Sequence, residues 1–218
     1  MLLKEYIPNI DKKYGKVFFS GISFDSSSVK KNDIFFAIKG DKFDGNNYID
    51  AAIKKGANII ISEKKKIKKK ENIIFLHCLN VRKLLAEVSY KIIGKKPKNI
   101  IAVTGTNGKS SVAEFYHQIL SNNKIPVATI GTLGIKSNRI KKLSLTSPDI
   151  ITLHSELSKL KKNKIDNVMI EASSHGLKQG RLLGLKIKIG IFTNFSQDHL
   201  DYHKNMKEYF NSKMILFK

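Results

Sequence analysis

Apolar runs of strand length alternate with helical patterns from one end of the chain to the other, and this alternation constrains the fold more than any other feature. Strands are expected at 18–24, 34–38, 58–62 and 73–76, with helices at 47–55 and 80–93 and Gly56 stopping the first of them. A second series follows: strand 99–103, helix 109–121, strand 126–130, helix 149–161, strands 167–171 and 187–193, and helix 205–217. Parallel strands need crossover helices between them, so the succession predicts an α/β fold with largely parallel sheets. Between the two series lies KIIGKKPKNI, where Gly94, two lysines and Pro97 punctuate a helix and a new apolar strand. A domain boundary is expected near residue 96, giving domains 1–96 and 97–218. The second sheet stops with a helix that has nothing packed beyond it, which reads as a domain cut short.

No run of eighteen apolar residues exists, and Lys4 and Glu5 interrupt the start, so neither a membrane span nor a signal peptide is expected and the default address is cytoplasmic. Cys78 is the only cysteine; in IIFLHCL it reads as a small buried apolar residue with no catalytic role. The formal charge of +22 invites a nucleic-acid reading. Only three of the 40 basic residues are arginines, however (Arg82, Arg139 and Arg181), whereas recognition of base edges and phosphates favours the guanidinium fork. The densest run, KKKIKKK at 64–70, has no interleaved aromatics for base stacking and reads as a solvated loop. No nucleic-acid partner is expected.

The strongest chemical signal is NIIAVTGTNGKSSVAEF, where an apolar strand runs through Thr104-Gly105-Thr106-Asn107-Gly108-Lys109-Ser110-Ser111 into a helix. Glycines let a backbone curl with its N–H groups inward, and the helix brings its positive dipole end to the same point. Lys109 can supply a point charge to β/γ-phosphates, and the Ser110 hydroxyl can ligate Mg²⁺. The standard phosphate-loop spacing asks for glycine at 103, where Val103 stands, so the loop is a short variant.

TGTNGKSS resembles the ATP loop of the Mur ligase superfamily, and three further segments resemble its MurE type in order and spacing: EASSHGLKQGR at 171–181, FTNFSQDHLDYH at 192–203 and MKEYFNSKMILF at 206–217. FDSSSVKKNDIFFAIKGDKFDGNNYIDAAIKKGA is similar to the nucleotide-sugar domain of the same enzymes. The resemblance implies a small amino-terminal UDP-sugar-binding domain followed by a truncated ATPase domain. It implies ATP contacts from Gly105, Thr106, Asn107, Gly108, Lys109, Ser110 and Ser111. Mg²⁺ ligands are implied at Ser110, Glu171 and His199. A CO₂-derived carbamate on Lys213 is a further implied ligand, and it requires a neutral, partly desolvated amine. Lys109, His199 and Lys213 are the implied catalytic residues. Contacts to the sugar-peptide are implied for Thr146, Ser147, Ser173, Gln179 and Arg181, and contacts to its uridine-diphosphate side for Ser26 and Ser28, although DSSSV also reads as a plain serine turn. Asp198 either orients the His199 imidazole or caps a turn, and His175 is either a turn histidine or a catalytic one. The family usually has GKTT where GKSS stands here, and a basic residue at Ser27.

The implied reaction is ATP-dependent addition of a diamino acid, meso-diaminopimelate or L-lysine, to UDP-N-acetylmuramoyl-L-alanyl-D-glutamate through an acyl phosphate, by a monomer. The residues that select the amino acid would lie in a carboxy-terminal domain, so the 218 residues alone are expected to bind without ligating. Rival readings are another ligase of the superfamily, adding the terminal dipeptide or extending folylpolyglutamate, and a non-catalytic basic nucleotide-binding module. SSHGLKQGR and DHLDYH argue against the two rival ligases.

Overall fold

The computed structural model describes residues 1–40, 43–65, 72–132, 134–138 and 148–218, which fall into two compact units, Met1–Ile92 and Ile93–Lys218.

In the first unit four parallel strands, β1 (Ile22–Ser23), β2 (Ile34–Ala37), β3 (Ile59–Ser62) and β4 (Ile74–His77), lie in sequence order in one sheet. Its helices are α1 (Leu3–Tyr6), α2 (Ile49–Lys54) and α3 (Val81–Ile92). Every residue of β2 and β3 is buried, as a sheet covered on both faces requires. Phe35, Ala37 and Ile60 pack with Ile49, Ala52 and Ala57 on one face. Helix α2 is preceded by a 3-10 turn at Gly45–Tyr48 and gives way to Gly56 at φ 110°. A side chain there would strike the Lys31 backbone, so both space and conformation demand glycine.

Two expectations are corrected in this unit. The strand expected over 18–24 contracts to two residues, because the amides of Phe19 and Ser20 are drawn instead to the carbonyls of Met1 and Asn32. Cys78 is half-exposed rather than buried. It follows β4, which is the edge strand of the sheet among the described residues.

The second unit holds β5 (Asn99–Thr104), β6 (Val127–Gly131), β7 (Gly134–Ser137), β8 (Asn167–Glu171) and β9 (Ile189–Phe192) in the order β7-β6-β8-β5-β9. All pairs are parallel except β6 with β7, an antiparallel hairpin that the strand periodicity does not reveal. Its helices are α4 (Lys109–Asn122), α5 (Ile150–Lys162), α6 (Ser174–Lys178) and α7 (Met206–Met214), the last running on as a 3-10 turn at Ile215–Phe217. Alternate residues of the strands serve opposite faces. Ile100, Ala128, Ile130, Val168 and Ile170 pack with Leu153, Leu157 and Leu160 of α5, whereas Ile101, Val103 and Met169 pack with Ala113 of α4. The side chains of Asp149 and Asn205 accept from the amides of Thr152 and Glu208, capping α5 and α7. In register, Val103 stands opposite Glu171 and Ile191, and Thr104 opposite Phe192. The carboxyl ends of three strands therefore meet at the start of α4, the edge of an open α/β sheet where ligands bind.

Candidate active site

The phosphate loop is built by strand pairing and two glycines. Gly105 has φ 149° and Gly108 has φ 82°, and Gly108 caps α4 in the left-handed conformation. A side chain on Gly105 would collide with Thr193 Oγ1, so the closeness of β9 fixes that glycine independently of its backbone. The segment after β9 holds the loop's outer limb. The Thr106 amide donates to Asn194 O at 3.0 Å and the Asn107 amide to Asn194 Oδ1 at 3.0 Å, while Thr193 Oγ1 donates to Asn107 O at 2.6 Å. Lys109 Nζ donates to the carbonyls of Gly105 at 2.9 Å and Thr106 at 2.8 Å, closing the loop from within.

The amides of Gly108, Lys109, Ser110 and Ser111 have no acceptor among the described residues, as the first turn of a helix dictates. The loop's free donors thus come from 108–111, whereas Thr106 and Asn107 have their amides already engaged.

Ser110 Oγ donates to Glu171 Oε2 at 2.7 Å, and Thr132 Oγ1 lies 3.5 Å from the same oxygen. Glu171 is the last residue of β8 and Thr132 follows the last of β6, so the sheet's carboxyl edge converges on one carboxylate. Gly131 makes room for it: a side chain there would overlap the Glu171 carboxyl group. Sequence reading missed Gly131, because glycine ending a strand carries no local mark of what lies across the sheet. One hydroxyl and one carboxylate beside a cluster of free amides suit Mg²⁺, a hard cation that takes few protein oxygens and shares phosphate oxygens. The Ser110 and Glu171 pair fits that ion. Among the described residues no three His, Cys, Asp or Glu side chains gather into a metal site. Glu171 also lines a small, partly open cleft with Ile130, Leu153, Ser173, Arg181 and Leu182 among others.

Helix α7 reaches the loop from the other side. Lys213 is 1% exposed; its Nζ donates to Gly105 O at 2.7 Å and lies 4.3 Å from the centroid of the Tyr209 ring. Burial, reinforced by the charge of Lys109 and opposed by Asp198, lowers its pKa to about 8. The amine therefore has the neutral population that carbamate formation needs. Its present direction does not suit the product, since a carbamate oxygen could not rest against the Gly105 carbonyl, which is also an acceptor. Burial likewise lowers the pKa of Lys109, against the pull of Glu171 and Asp198.

His199 takes φ 52°, its amide donating to Asp198 Oδ1 at 2.8 Å, with Asp198 Oδ2 at 3.5 Å from its Nε2. Asp198 thus both closes the turn and faces the imidazole. No hydrogen bond or ion pair joins His199 to Glu171. The His199 ring instead meets His175 edge-on at 5.0 Å and Tyr209 at 6.0 Å. His175 stacks on Tyr202 at 3.9 Å, and burial lowers its pKa, with His199 adding to the effect. Ser173 caps α6, its Oγ accepting from the Gly176 amide at 3.1 Å. The Arg181 guanidinium donates to Gln179 Oε1 from Nε at 3.1 Å and from Nη2 at 2.8 Å, so these two act as a unit. His203, which sequence reading passed over, is fully buried with its Nε2 3.0 Å from Ser174 Oγ. Thr146 and Ser147 lie outside the described residues. In the first unit, Ser28 Oγ donates to Asp25 O at 3.0 Å and sits 2.8 Å from Ser23 Oγ, while Ser26 is half-buried in the same turn.

The sequence pattern of the Mur ligase middle domain matches residues 103–218, and that of the Mur ligase family catalytic domain matches 19–123. The chain is 41% identical over 214 residues to a UDP-N-acetylmuramoyl-L-alanyl-D-glutamate--2,6-diaminopimelate ligase of Rickettsia prowazekii strain Madrid E, covering 96% of this chain and 44% of that protein. It is 42% identical over 204 residues to the protein of the same name in Brucella melitensis, covering 93% of this chain and 42% of the relative. A solved structure of a UDP-N-acetylmuramoyl-L-alanyl-D-glutamate--2,6-diaminopimelate ligase superposes with a TM-score of 0.82 at 32% identity, covering the whole of this chain and 45% of the other. Thermotoga maritima MurF ligase shares the fold at a TM-score of 0.52 and 21% identity, over 90% of this chain and 42% of its own. The chain spans less than half the length of these relatives. Matched by the middle-domain pattern over more than half its residues, along the segment that carries the phosphate loop, Glu171 and Lys213, the chain belongs to the Mur ligase family.

Proposed function

We propose that the chain takes part in peptidoglycan-precursor synthesis as the nucleotide-binding portion of an ATP-dependent ligase that joins 2,6-diaminopimelate, or another diamino acid, to UDP-N-acetylmuramoyl-L-alanyl-D-glutamate. The observation that supports it best is the Ser110 and Glu171 pair beside the free amides of Gly108 to Ser111. Phosphoryl transfer to a carboxylate brings two anions together, so a site for it must place cations and donors on the phosphates. In this reading the 108–111 amides bind β/γ-phosphate oxygens, Lys109 leaves the loop carbonyls to meet the terminal phosphate, and Ser110 and Glu171 hold Mg²⁺. When bound, Mg²⁺ supplies charge neutralisation between nucleotide and acceptor carboxylate. Ser173 and Arg181, which line the cleft, and Gln179, which is hydrogen-bonded to Arg181, orient the peptide carboxylates, Arg181 through its guanidinium. The D-glutamyl carboxylate takes the γ-phosphoryl group, and the amine of the incoming amino acid displaces phosphate from the acyl phosphate.

The first unit, with Ser26 and Ser28, is assigned to the UDP end of the substrate. Lys213 as a carbamate, His199 as a further ligand of the metal, a cytoplasmic monomer and the absence of nucleic-acid or membrane partners complete the reading. Among the described residues no helix is long and apolar enough to cross a membrane. The carbamate requires the Lys213 side chain to swing away from Gly105 O.

Calorimetric titration with MgADP, magnesium tripolyphosphate and UDP-N-acetylmuramoyl-L-alanyl-D-glutamate tests this reading. Binding of a polyphosphate that strengthens with Mg²⁺ and weakens in Glu171→Gln is expected. A chain that ignores all three ligands yet shifts DNA in a salt-dependent manner would overturn it in favour of a basic nucleic-acid-binding module.

A further inference from the structure

Thr106 lies within the loop, but its polar groups are all spoken for. A threonine hydroxyl has one proton and two lone pairs. The proton goes to Ser196 O at 3.1 Å; the lone pairs receive the Ser196 amide at 3.0 Å and the Tyr209 hydroxyl at 3.1 Å. With its own amide on Asn194 O, Thr106 has nothing left for a phosphate and serves as the post on which the loop is hung.

Tyr209 comes from α7, 103 residues away in sequence, and is completely buried. Its ring packs against Phe195 at 5.3 Å and His203 at 5.2 Å, which fixes where the hydroxyl can point. A buried phenol must find a partner, and among the described residues that partner is Thr106 Oγ1. One helical turn on, Lys213 donates to Gly105 O, so a single face of α7 grips two consecutive loop residues. The segment after β9 supplies the other ties, through Thr193, Asn194 and Ser196.

We propose that Tyr209 is a positioning residue for the phosphate loop: its hydroxyl completes the saturation of Thr106 Oγ1 and so holds the amides of Gly108 to Ser111 in a fixed array for a polyphosphate. It does not touch the ligand itself. The proposal rests on the phosphate-binding reading of the loop, and the test separates the two.

Binding of magnesium tripolyphosphate is measured by calorimetry at a temperature well below the melting transition, for the wild-type chain, Tyr209→Phe, Thr106→Val and Thr106→Ser. Tyr209→Phe keeps the ring and deletes only the donor. It should weaken binding by roughly three- to tenfold, the range of one neutral hydrogen bond. Thr106→Val should weaken it at least as much, Thr106→Ser should bind like the wild type, and the Tyr209→Phe/Thr106→Val pair should lose less than the product of the single losses. A purely structural role would lower the melting temperature while leaving affinity unchanged. Equal affinity in wild type and Tyr209→Phe would therefore overturn the proposal and leave the loop's ligand untouched. Should Tyr209→Phe not fold, Thr106→Val decides by the same criterion. A wild-type chain that binds no polyphosphate removes both the ligand reading and this inference.

Discussion

Ser110 Oγ and Glu171 Oε2 meet at 2.7 Å across 61 residues of sequence, one at the first turn of α4 and the other at the end of β8. Parallel pairing of β5 with β8 brings them together: Glu171 stands opposite Val103, and the loop after β5 carries Ser110 over it. The hydroxyl and carboxylate are thus held by the sheet rather than by flexible segments, which favours a defined ion geometry.

Gly131 should tolerate no side chain on account of that carboxylate. Its backbone is ordinary, so Gly131→Ala tests crowding alone. The Cβ would push Glu171 off Ser110. We expect magnesium-dependent strengthening of tripolyphosphate binding to fall about tenfold, about 1.4 kcal/mol, with little change in magnesium-free binding. Titrations with and without Mg²⁺ measure both; an unchanged magnesium effect would show that Glu171 does not hold the ion.

Gly105→Ala and Gly108→Ala should differ in severity. Both glycines have positive φ, which costs an alanine about 1–2 kcal/mol. At Gly108 an added Cβ lies 3.9 Å from Thr193 Cβ, an ordinary contact, but at Gly105 it would strike Thr193 Oγ1. Urea unfolding should therefore rank Gly105→Ala clearly below Gly108→Ala in stability, and the equal loss of both would contradict the packing of β9 against the loop.

Acid should weaken the second unit through His154. Burial, aided by the charge of Lys96 and opposed by a hydrogen bond with Leu183 O, lowers its pKa from 6.5 to about 4. The folded state favours the neutral ring, so the contribution is fully present above pH 6.5 and is lost as pH falls through about 4. His154→Gln, which cannot take up a proton, should show a flatter melting temperature than the wild type between those limits. Parallel profiles would mean that the ring titrates normally.

Lys213 should act in the alkaline range. Its pKa falls from 10.5 to about 8, so burying the charged amine costs stability below about pH 8, and that cost is relieved as pH rises toward 10.5. Lys213→Met should be more stable than the wild type near pH 7, and the gap should close by pH 10.5. A constant gap across the range would show that the amine is solvated. Bicarbonate provides a second readout: a ¹³C-labelled carbamate signal should appear in the wild type and be absent from the variant.

What the sequence alone determined is the succession of elements and the loop. The apolar runs of β2, β3, β5 and β8 and the periodic faces of α3, α4 and α5 are dictated by local spacing, because burial on one or both faces leaves a period in the chain itself. Thr104 to Ser111 announced an anion site for the same reason, since glycine freedom and a helix start are local properties. Edge elements were less legible. β1 shrank, β7 and α6 went unseen, and Cys78 emerged half-exposed, because their environment is set by what lies beside them rather than by their own pattern.

Only the tertiary structure decided which polar groups of the loop are already paired within the protein. The Thr106 hydroxyl donates to Ser196 O and accepts from Tyr209, and its amide donates to Asn194 O. Gly131, which sequence reading missed, makes the seat of Glu171. Lys213 turned its amine to Gly105 O, and His199 faces His175 and Tyr209. The physical reason is common to all four: a polar group's partner is chosen by distance in space, and residues separated by tens to a hundred positions become neighbours only when the sheet order is set.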